Sequence, residues 1–173
     1  MATGFHFNVT RESNLPSARL GALVTTVLES HHAGDVLIIH VLTHGRKKPR
    51  FHGIFALGSD GTCDDSADVK KWLDVCAKYD NDGPQVLFLL DICHAGEAAE
   101  IDALMRTSEA QRTWILAATR ADESAFEARF TRSLTDVLTR IDRAGLDLNP
   151  GDRYVPLDTF ARQVRQAVYE LAD

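Results

Sequence analysis

Hydrophobic residues in this chain form two patterns, continuous runs and spaced stripes, and each predicts a different element. Continuous apolar runs at 35–42, 85–92 and 113–118, with a shorter one at 53–57, predict β-strands. Gly34 precedes the first run, and Gly83-Pro84 precedes the second. Near-continuous apolar strands are typical of strands that are covered on both faces, so the runs favour a mostly parallel sheet.

The spaced stripes predict amphipathic helices. Apolar residues recur at i, i+3, i+4 and i+7 spacing in stripes that begin at Leu20, Val69, Phe130 and Phe160. The stretch 64–66 offers N-cap residues for the second helix, Gly145 ends the third, and the fourth starts near Asp158. Because strands alternate with helices, the sequence predicts an α/β fold in which helices flank a mostly parallel central sheet.

Composition and charge narrow the class of protein. The chain has 173 residues, of which 45% are hydrophobic and 25% charged, and it contains no repeat or long linker. A single domain over residues 1–173 is the simplest interpretation. The formal net charge is −6, and the one basic cluster, at 46–50, is typical of a solvated loop. We therefore expect no nucleic-acid partner.

Cysteine usage indicates a reducing environment. The chain has three cysteines, Cys63, Cys76 and Cys93, without CxxC spacing, which argues against a disulfide framework and a zinc ribbon. Residues 1–30 lack a secretory pattern, and no apolar run approaches transmembrane length. We expect a cytoplasmic protein without membrane association, in which a thiol stays free for chemistry. Cys76 falls on an apolar helix face, and Cys63 lies in a loop.

Two reactive side chains follow the first two long strands directly. His44 and Gly45 follow the first, and Cys93 begins the Cys-His-Ala-Gly segment after the second. Active sites of parallel sheets form at the carboxyl ends of the strands, so both segments are expected at one edge. A cysteine nucleophile needs an imidazole within hydrogen-bond reach, which makes His44 and Cys93 the predicted catalytic pair. The N–H groups of Gly45 and Cys93 are the predicted oxyanion donors.

The remaining histidines and the acidic loop suggest no metal site. His94 adjoins Cys93 and is expected in a loop or pocket wall, while His40 lies within the first strand as a core or face residue. His40 and His44 have i, i+4 spacing, but they are not on a helix, so zinc is not predicted. The acidic stretch 59–65 does not match a twelve-residue calcium loop. We expect no cofactor, and calcium activation stays an open alternative.

Two blocks resemble those of caspase-like cysteine peptidases. The segment 41–45, Val-Leu-Thr-His-Gly, resembles their strand-His-Gly block. The segment 89–96, Leu-Leu-Asp-Ile-Cys-His-Ala-Gly, is similar to the nucleophile block of metacaspases, paracaspases and bacterial caspase homologues. His44 lies 49 positions before Cys93, close to the spacing of about 50 known for caspases. The resemblance runs from about Asp35 to the C-terminal helix and implies a caspase-hemoglobinase-like three-layer sandwich.

The resemblance also implies an activity and a substrate class. It implies a cysteine endopeptidase that acts on protein or peptide substrates. In metacaspases and paracaspases the acid two positions before the nucleophile lines the S1 pocket, and here that position is Asp91. A paracaspase-like glutamate maps onto Glu127. Two carboxylates favour a planar guanidinium, so we expect cleavage after Arg, with Lys as the second basic candidate, and not after Asp.

The N-terminal part departs from the family pattern. Residues 1–10 offer at most a short strand at 5–9, and the family's first strand is not apparent. The sequence is therefore expected to be a fragment, a trimmed domain, or a chain whose sheet is completed by a regulatory domain or partner chain. The alternative function is a catalytically silent caspase-like module for partner binding or signalling assembly.

Overall fold

A computed structural model describes residues 7–47, 53–79, 82–96, 98, 112–119, 128–144 and 156–171. The chain divides into two compact units. One unit is Asn14–Phe126, and the other combines Met1–Ser13 with Glu127–Asp173. The expectation of one domain over the whole chain stays a prediction.

The unit Asn14–Phe126 has α/β architecture. Its described strands are β1 (Val36–Leu42), β2 (Gly45–Lys47), β3 (Ile54–Ala56), β4 (Gln85–Asp91) and β5 (Thr113–Ala117). Its helices include α1 (Ser17–Glu29), a 3₁₀ helix (Asp65–Ala67) and α2 (Val69–Lys78). The strands β1, β4 and β5 form a sheet in the order β1-β4-β5, and both strand pairs are parallel. The predicted α/β class and parallel sheet are therefore confirmed.

The core of this unit lies between one face of the sheet and the helices α1 and α2. Val24 and Leu28 of α1 join Trp72 of α2 and the strand residues Val86 and Phe88 in one buried cluster. The rings of Trp72 and Phe88 stack with centroids 6.4 Å apart and an interplanar angle of 12°. The Trp72 indole N–H donates to the Ser66 carbonyl at 2.9 Å, so this buried ring also has its polar atom satisfied.

The opposite face of β1 is exposed, which corrects the prediction that this strand is covered on both faces. Val36, Ile38 and Leu42 keep 54%, 45% and 55% of their surface exposed, whereas Leu37 and Val41 are buried. Among the described strands, β1 pairs only with β4, so it is an edge strand of this sheet. A continuous apolar run has no periodicity that separates an edge strand from a central one.

A two-stranded antiparallel ribbon follows β1. Gly45 pairs with Ala56 and Lys47 pairs with Ile54, which joins β2 to β3. The sequence predicted β3 but placed 46–50 in a loop, and this is wrong for Arg46 and Lys47. Both residues are exposed, so their charged side chains remain in solvent while their backbone pairs with β3. Residues 48–50 lie outside the described part of the chain.

Helix α2 begins later than its predicted cap. The Asp68 carboxylate accepts a hydrogen bond from the Lys70 N–H at 3.1 Å and is the N-cap of α2. Asp64, within the predicted cap region, instead caps the preceding 3₁₀ helix through the Ser66 N–H at 2.9 Å. Two aspartates four positions apart both suit an N-cap, and the sequence alone did not separate their roles.

The other unit contains two paired amphipathic helices, α3 (Arg129–Ala144) and α4 (Leu157–Glu170). Most of both stripes is confirmed, because six residues at helical spacing are buried: Phe130, Leu134, Val137, Phe160, Val164 and Ala167. The same stripes include Leu138 and Leu171, and the prediction is wrong for these two, which are 38% and 48% exposed. The predicted strand at 5–9 is wrong where the structure describes it, since Phe7 and Val9 lie outside any strand and are 44% and 72% exposed.

None of the described helices has both the length and the apolar character needed to cross a bilayer.

Candidate active site

The register of the parallel sheet places the ends of β1 and β4 side by side. Leu42, the last residue of β1, is paired with Asp91, the last residue of β4. The Thr43 N–H donates to the Asp91 carbonyl at 3.3 Å, which extends the contact one residue further. His44 and Cys93 therefore each lie two residues beyond a paired strand end, at the same edge of the sheet. This is the juxtaposition that the two motifs predicted.

Gly45 lies directly against the backbone of Cys93. A Cβ atom at Gly45 would overlap the Cys93 carbonyl oxygen, and it would also crowd the Ile54 side chain. Only glycine permits this approach, which joins the His-Gly segment to the cysteine segment. Both residues whose N–H groups were predicted as oxyanion donors are half-buried and adjacent.

Leu57, the residue directly after β3, holds the backbone at Thr43 and His44. The Leu57 N–H donates to the His44 carbonyl at 2.9 Å, and the Thr43 hydroxyl donates to the Leu57 carbonyl at 2.7 Å. These bonds hold the chain as it passes from β1 into β2. His44 itself is exposed to solvent.

The turn that contains Cys93 is closed by the side chain of Thr119. The Thr119 hydroxyl accepts from the Ala95 N–H at 3.0 Å and donates to the Ile92 carbonyl at 3.3 Å. It thus joins the two residues that flank Cys93 and His94. His94 has φ of 63°, a left-handed conformation that is uncommon for a residue with a Cβ atom. Sequence reasoning missed Thr119; the one signal was a hydroxyl residue directly after a third parallel strand.

Cys93 is half-buried and forms no disulfide. Cys63 and Cys76 are also half-buried and outside any disulfide, so burial alone does not distinguish the three. Cys76 packs against the core cluster, which agrees with its predicted helix face. The position of Cys93, at a strand end beside Gly45, is what sets it apart.

Asp91 is deeply buried at the end of β4. Its exposure is 2%, and the parallel register puts it on the same face of the sheet as His40 and Leu42. A buried carboxylate needs hydrogen bonds or a positive charge nearby, which is the property expected of a subsite for a basic side chain. Glu127, the second predicted S1 residue, lies outside the described residues.

His40 is electrostatically coupled to Asp91. The residue as a whole is exposed, yet desolvation of the imidazole lowers the pKa of His40, and the negative charge of Asp91 opposes part of that shift. The sequence predicted only a core or face histidine here. Its relation to Asp91 depends on the register between two strands, which the sequence does not specify.

Two carboxylates of the acidic loop accept hydrogen bonds from residues two positions further along the chain. The Thr62 hydroxyl and N–H donate to Asp60 at 2.9 and 3.2 Å, and these bonds lower the pKa of Asp60. Hydrogen bonds from Ser66 likewise lower the pKa of Asp64. Within the described part of the chain, no three His, Cys, Asp or Glu residues cluster as metal ligands. Calcium activation stays an untested alternative.

Comparisons with protein-family models, curated proteins and solved structures give no match. The functional assignment therefore depends on the residues and their geometry.

Proposed function

We propose that this chain is a caspase-like cysteine endopeptidase that cleaves after basic residues, Arg before Lys. The main support is the parallel register between β1 and β4. It brings the segments of His44 and Cys93 to one sheet edge, with Gly45 against the Cys93 backbone. The parallel order β1-β4-β5, with α1 and α2 on one face, is compatible with a caspase-hemoglobinase-like three-layer sandwich.

The proposed reaction begins at the thiolate of Cys93. The thiolate sulfur attacks the scissile carbonyl carbon, and the oxyanion that forms accepts hydrogen bonds from the N–H groups of Gly45 and Cys93. The imidazolium of His44 donates its proton to the leaving amine as the C–N bond breaks. Neutral His44 then takes a proton from water, which hydrolyses the thioester and releases Cys93. This chemistry needs no organic cofactor.

Asp91 is the proposed determinant of a basic P1 residue. A carboxylate that is 2% exposed pairs more favourably with a desolvated guanidinium than with a neutral side chain. Glu127 is proposed as a second carboxylate of the same subsite. Such a charge pair, once buried, contributes about 2 kcal/mol or more, which corresponds to roughly 30-fold in affinity.

A second candidate function is partner binding by a catalytically silent module. Two observations favour it: β1 is an edge strand among the described strands, and its side chains Val36, Ile38 and Leu42 are exposed. A partner chain or regulatory domain that adds a strand to β1 would complete the sheet. The presence of both His44 and Cys93 favours the enzyme.

The P1 preference tests the proposal. Fluorogenic peptides that differ only at P1 (Arg, Lys, norleucine, Asp) are assayed with and without Ca²⁺. We expect kcat/KM to be highest for Arg and about 30-fold or more lower for norleucine and Asp. Cys93→Ala should abolish cleavage, whereas Cys63→Ala, a matched thiol in a loop, should retain it. Preference for Asp over Arg, or equal cleavage by Cys93→Ala, would contradict the proposal.

A further inference from the structure

His40 and Asp91 occupy diagonal positions on one face of the parallel pair β1–β4. His40 is paired with Leu89, and Asp91, two residues further along β4, is paired with Leu42. Paired residues of neighbouring strands share a face of the sheet, and so do residues two apart on one strand. His40 and Asp91 therefore lie on the same face, together with their partners Leu89 and Leu42. Neighbouring strands lie about 4.8 Å apart and two residues span about 6.6 Å, so an imidazole and a carboxylate can approach across the diagonal.

Within the described strands, His40 and Asp91 are the titratable residues on this face of the sheet. The remaining residues that the register puts on the same face of β1, β4 and β5 are apolar or uncharged. Beyond the strand ends, the titratable groups among the described residues of this edge include His44, Cys93 and His94. The negative charge of Asp91 also acts on His40.

We propose that His40 is a specificity-determining residue: it shares the Asp91 carboxylate with the P1 side chain, and its protonation weakens selection for a basic P1 residue. This inference rests on the proposed peptidase function. Neutral His40 adds no positive charge beside Asp91, so the carboxylate acts on the guanidinium. Protonated His40 places a second cation at the same carboxylate, and the two cations oppose each other's binding.

The direction of the pH effect follows from the His40 environment. Since burial lowers the pKa of His40 below its ordinary value of 6.5, the imidazole is mostly neutral at pH 7. Selection for Arg is therefore at its maximum at neutral pH, and it falls as the pH drops through the lowered pKa. The linkage is reciprocal, so a bound guanidinium should lower the pKa of His40 further.

The test compares two peptides that differ only at P1, Arg and its neutral isostere citrulline. The ratio of their kcat/KM values is measured from pH 7.5 to 5.0, because the ionisation of His44 and Cys93 affects both peptides alike and cancels in the ratio. In the wild type the ratio should fall by about fivefold or more, the lower end of typical site coupling. In His40→Gln it should stay much flatter, and in Asp91→Asn it should be lower at pH 7.5 than in the wild type and should no longer change as His40 titrates. Equal slopes in the wild type and His40→Gln would overturn the role of His40.

A second readout does not depend on turnover. The pKa of His40 is measured by NMR from its imidazole carbon-bound protons, in the wild type and in Asp91→Asn. We expect a lower pKa in the variant, because the negative charge that favours the imidazolium is gone. An unchanged pKa overturns the coupling.

The peptide assay separates failure of the two proposals. If neither peptide is cleaved, the peptidase proposal itself fails, and the specificity role of His40 fails with it. If Arg is preferred with a pH-independent ratio, only the role of His40 fails.

Discussion

At the scale of single residues, the turn around Cys93 depends on one hydroxyl from a different strand end. Thr119 bonds both Ile92 and Ala95, the residues that flank Cys93 and His94. These bonds accompany the left-handed backbone of His94, whose φ is 63°. A nucleophile that must meet a carbonyl carbon within a fraction of an ångström depends on such support, which makes Thr119 a positioning residue in the proposed enzyme.

Thr119→Val keeps the shape of the side chain and removes the hydroxyl. We expect kcat to fall by about 10- to 100-fold with KM little changed, because the scissile bond and Cys93 would no longer align. Thr119→Ser should recover most of the rate, since it restores the hydroxyl. Steady-state kinetics of the three proteins, with thermal melting as a check on folding, measure this. A folded Thr119→Val protein with wild-type kcat would show that the hydroxyl does not position the nucleophile.

The parts of the site that sequence could predict are those that lie next to each other in the chain. His44 with Gly45, and Cys93 with Asp91, stand in short motifs directly after apolar runs. The proposed roles of Thr119 and His40 were not predicted, because they depend on which strand lies beside which, and in what register. No local pattern specifies that a residue after β5 bonds the turn after β4.

At the scale of elements, Ser17 links three of them at the start of α1. The side chain is fully buried; its hydroxyl donates to the Ala56 carbonyl of β3 at 3.2 Å and accepts from the Asp64 N–H at 2.8 Å. Gly21, one turn later, lies so close to the Ser66 backbone that a Cβ atom would overlap it. The helix therefore docks tightly beside the 3₁₀ helix and the β2–β3 ribbon.

Ser17→Ala should lower the free energy of unfolding by about 1–3 kcal/mol, because it leaves a buried carbonyl and a half-buried N–H without this hydroxyl. Ser30→Ala is the matched control at the other end of α1. Its exposed hydroxyl bonds only within that end, to the Val27 carbonyl and the neighbouring His31 ring, so we expect about 0.5 kcal/mol or less. Urea denaturation of the three proteins gives both values. Equal midpoints for Ser17→Ala and Ser30→Ala would contradict this account of the junction.

Sequence patterns predicted the long elements better than the short ones. The stripes of α1, α2, α3 and α4 and the apolar runs of β1, β4 and β5 were all recovered, because burial of one face imposes a period or a run. The three-residue strand β2 was missed, since Arg46 and Lys47 have no such signature. The exposure of Val36 and Ile38 was also unexpected, because it is set by the strand's place at the edge of the described sheet.

At the scale of the whole molecule, the described residues of the proposed site all belong to one compact unit. His40, His44, Asp91, Cys93 and Thr119 lie within Asn14–Phe126. The sheet order β1-β4-β5 explains their arrangement, because three parallel strands bring three carboxyl ends to one edge. The formal net charge of −6 adds a field that favours basic peptides, which suits the proposed P1 preference.

The central claim is that Cys93, with His44 beside it, is the nucleophile of a site for basic side chains. The most direct measurement is covalent labelling by a peptidyl electrophile with P1 Arg, located by mass spectrometry of the digested protein. We predict an adduct on Cys93 and none on Cys63 or Cys76, with the labelling rate reduced about 100-fold or more in His44→Ala. Labelling spread over the three cysteines, or an equal rate without His44, would contradict the account.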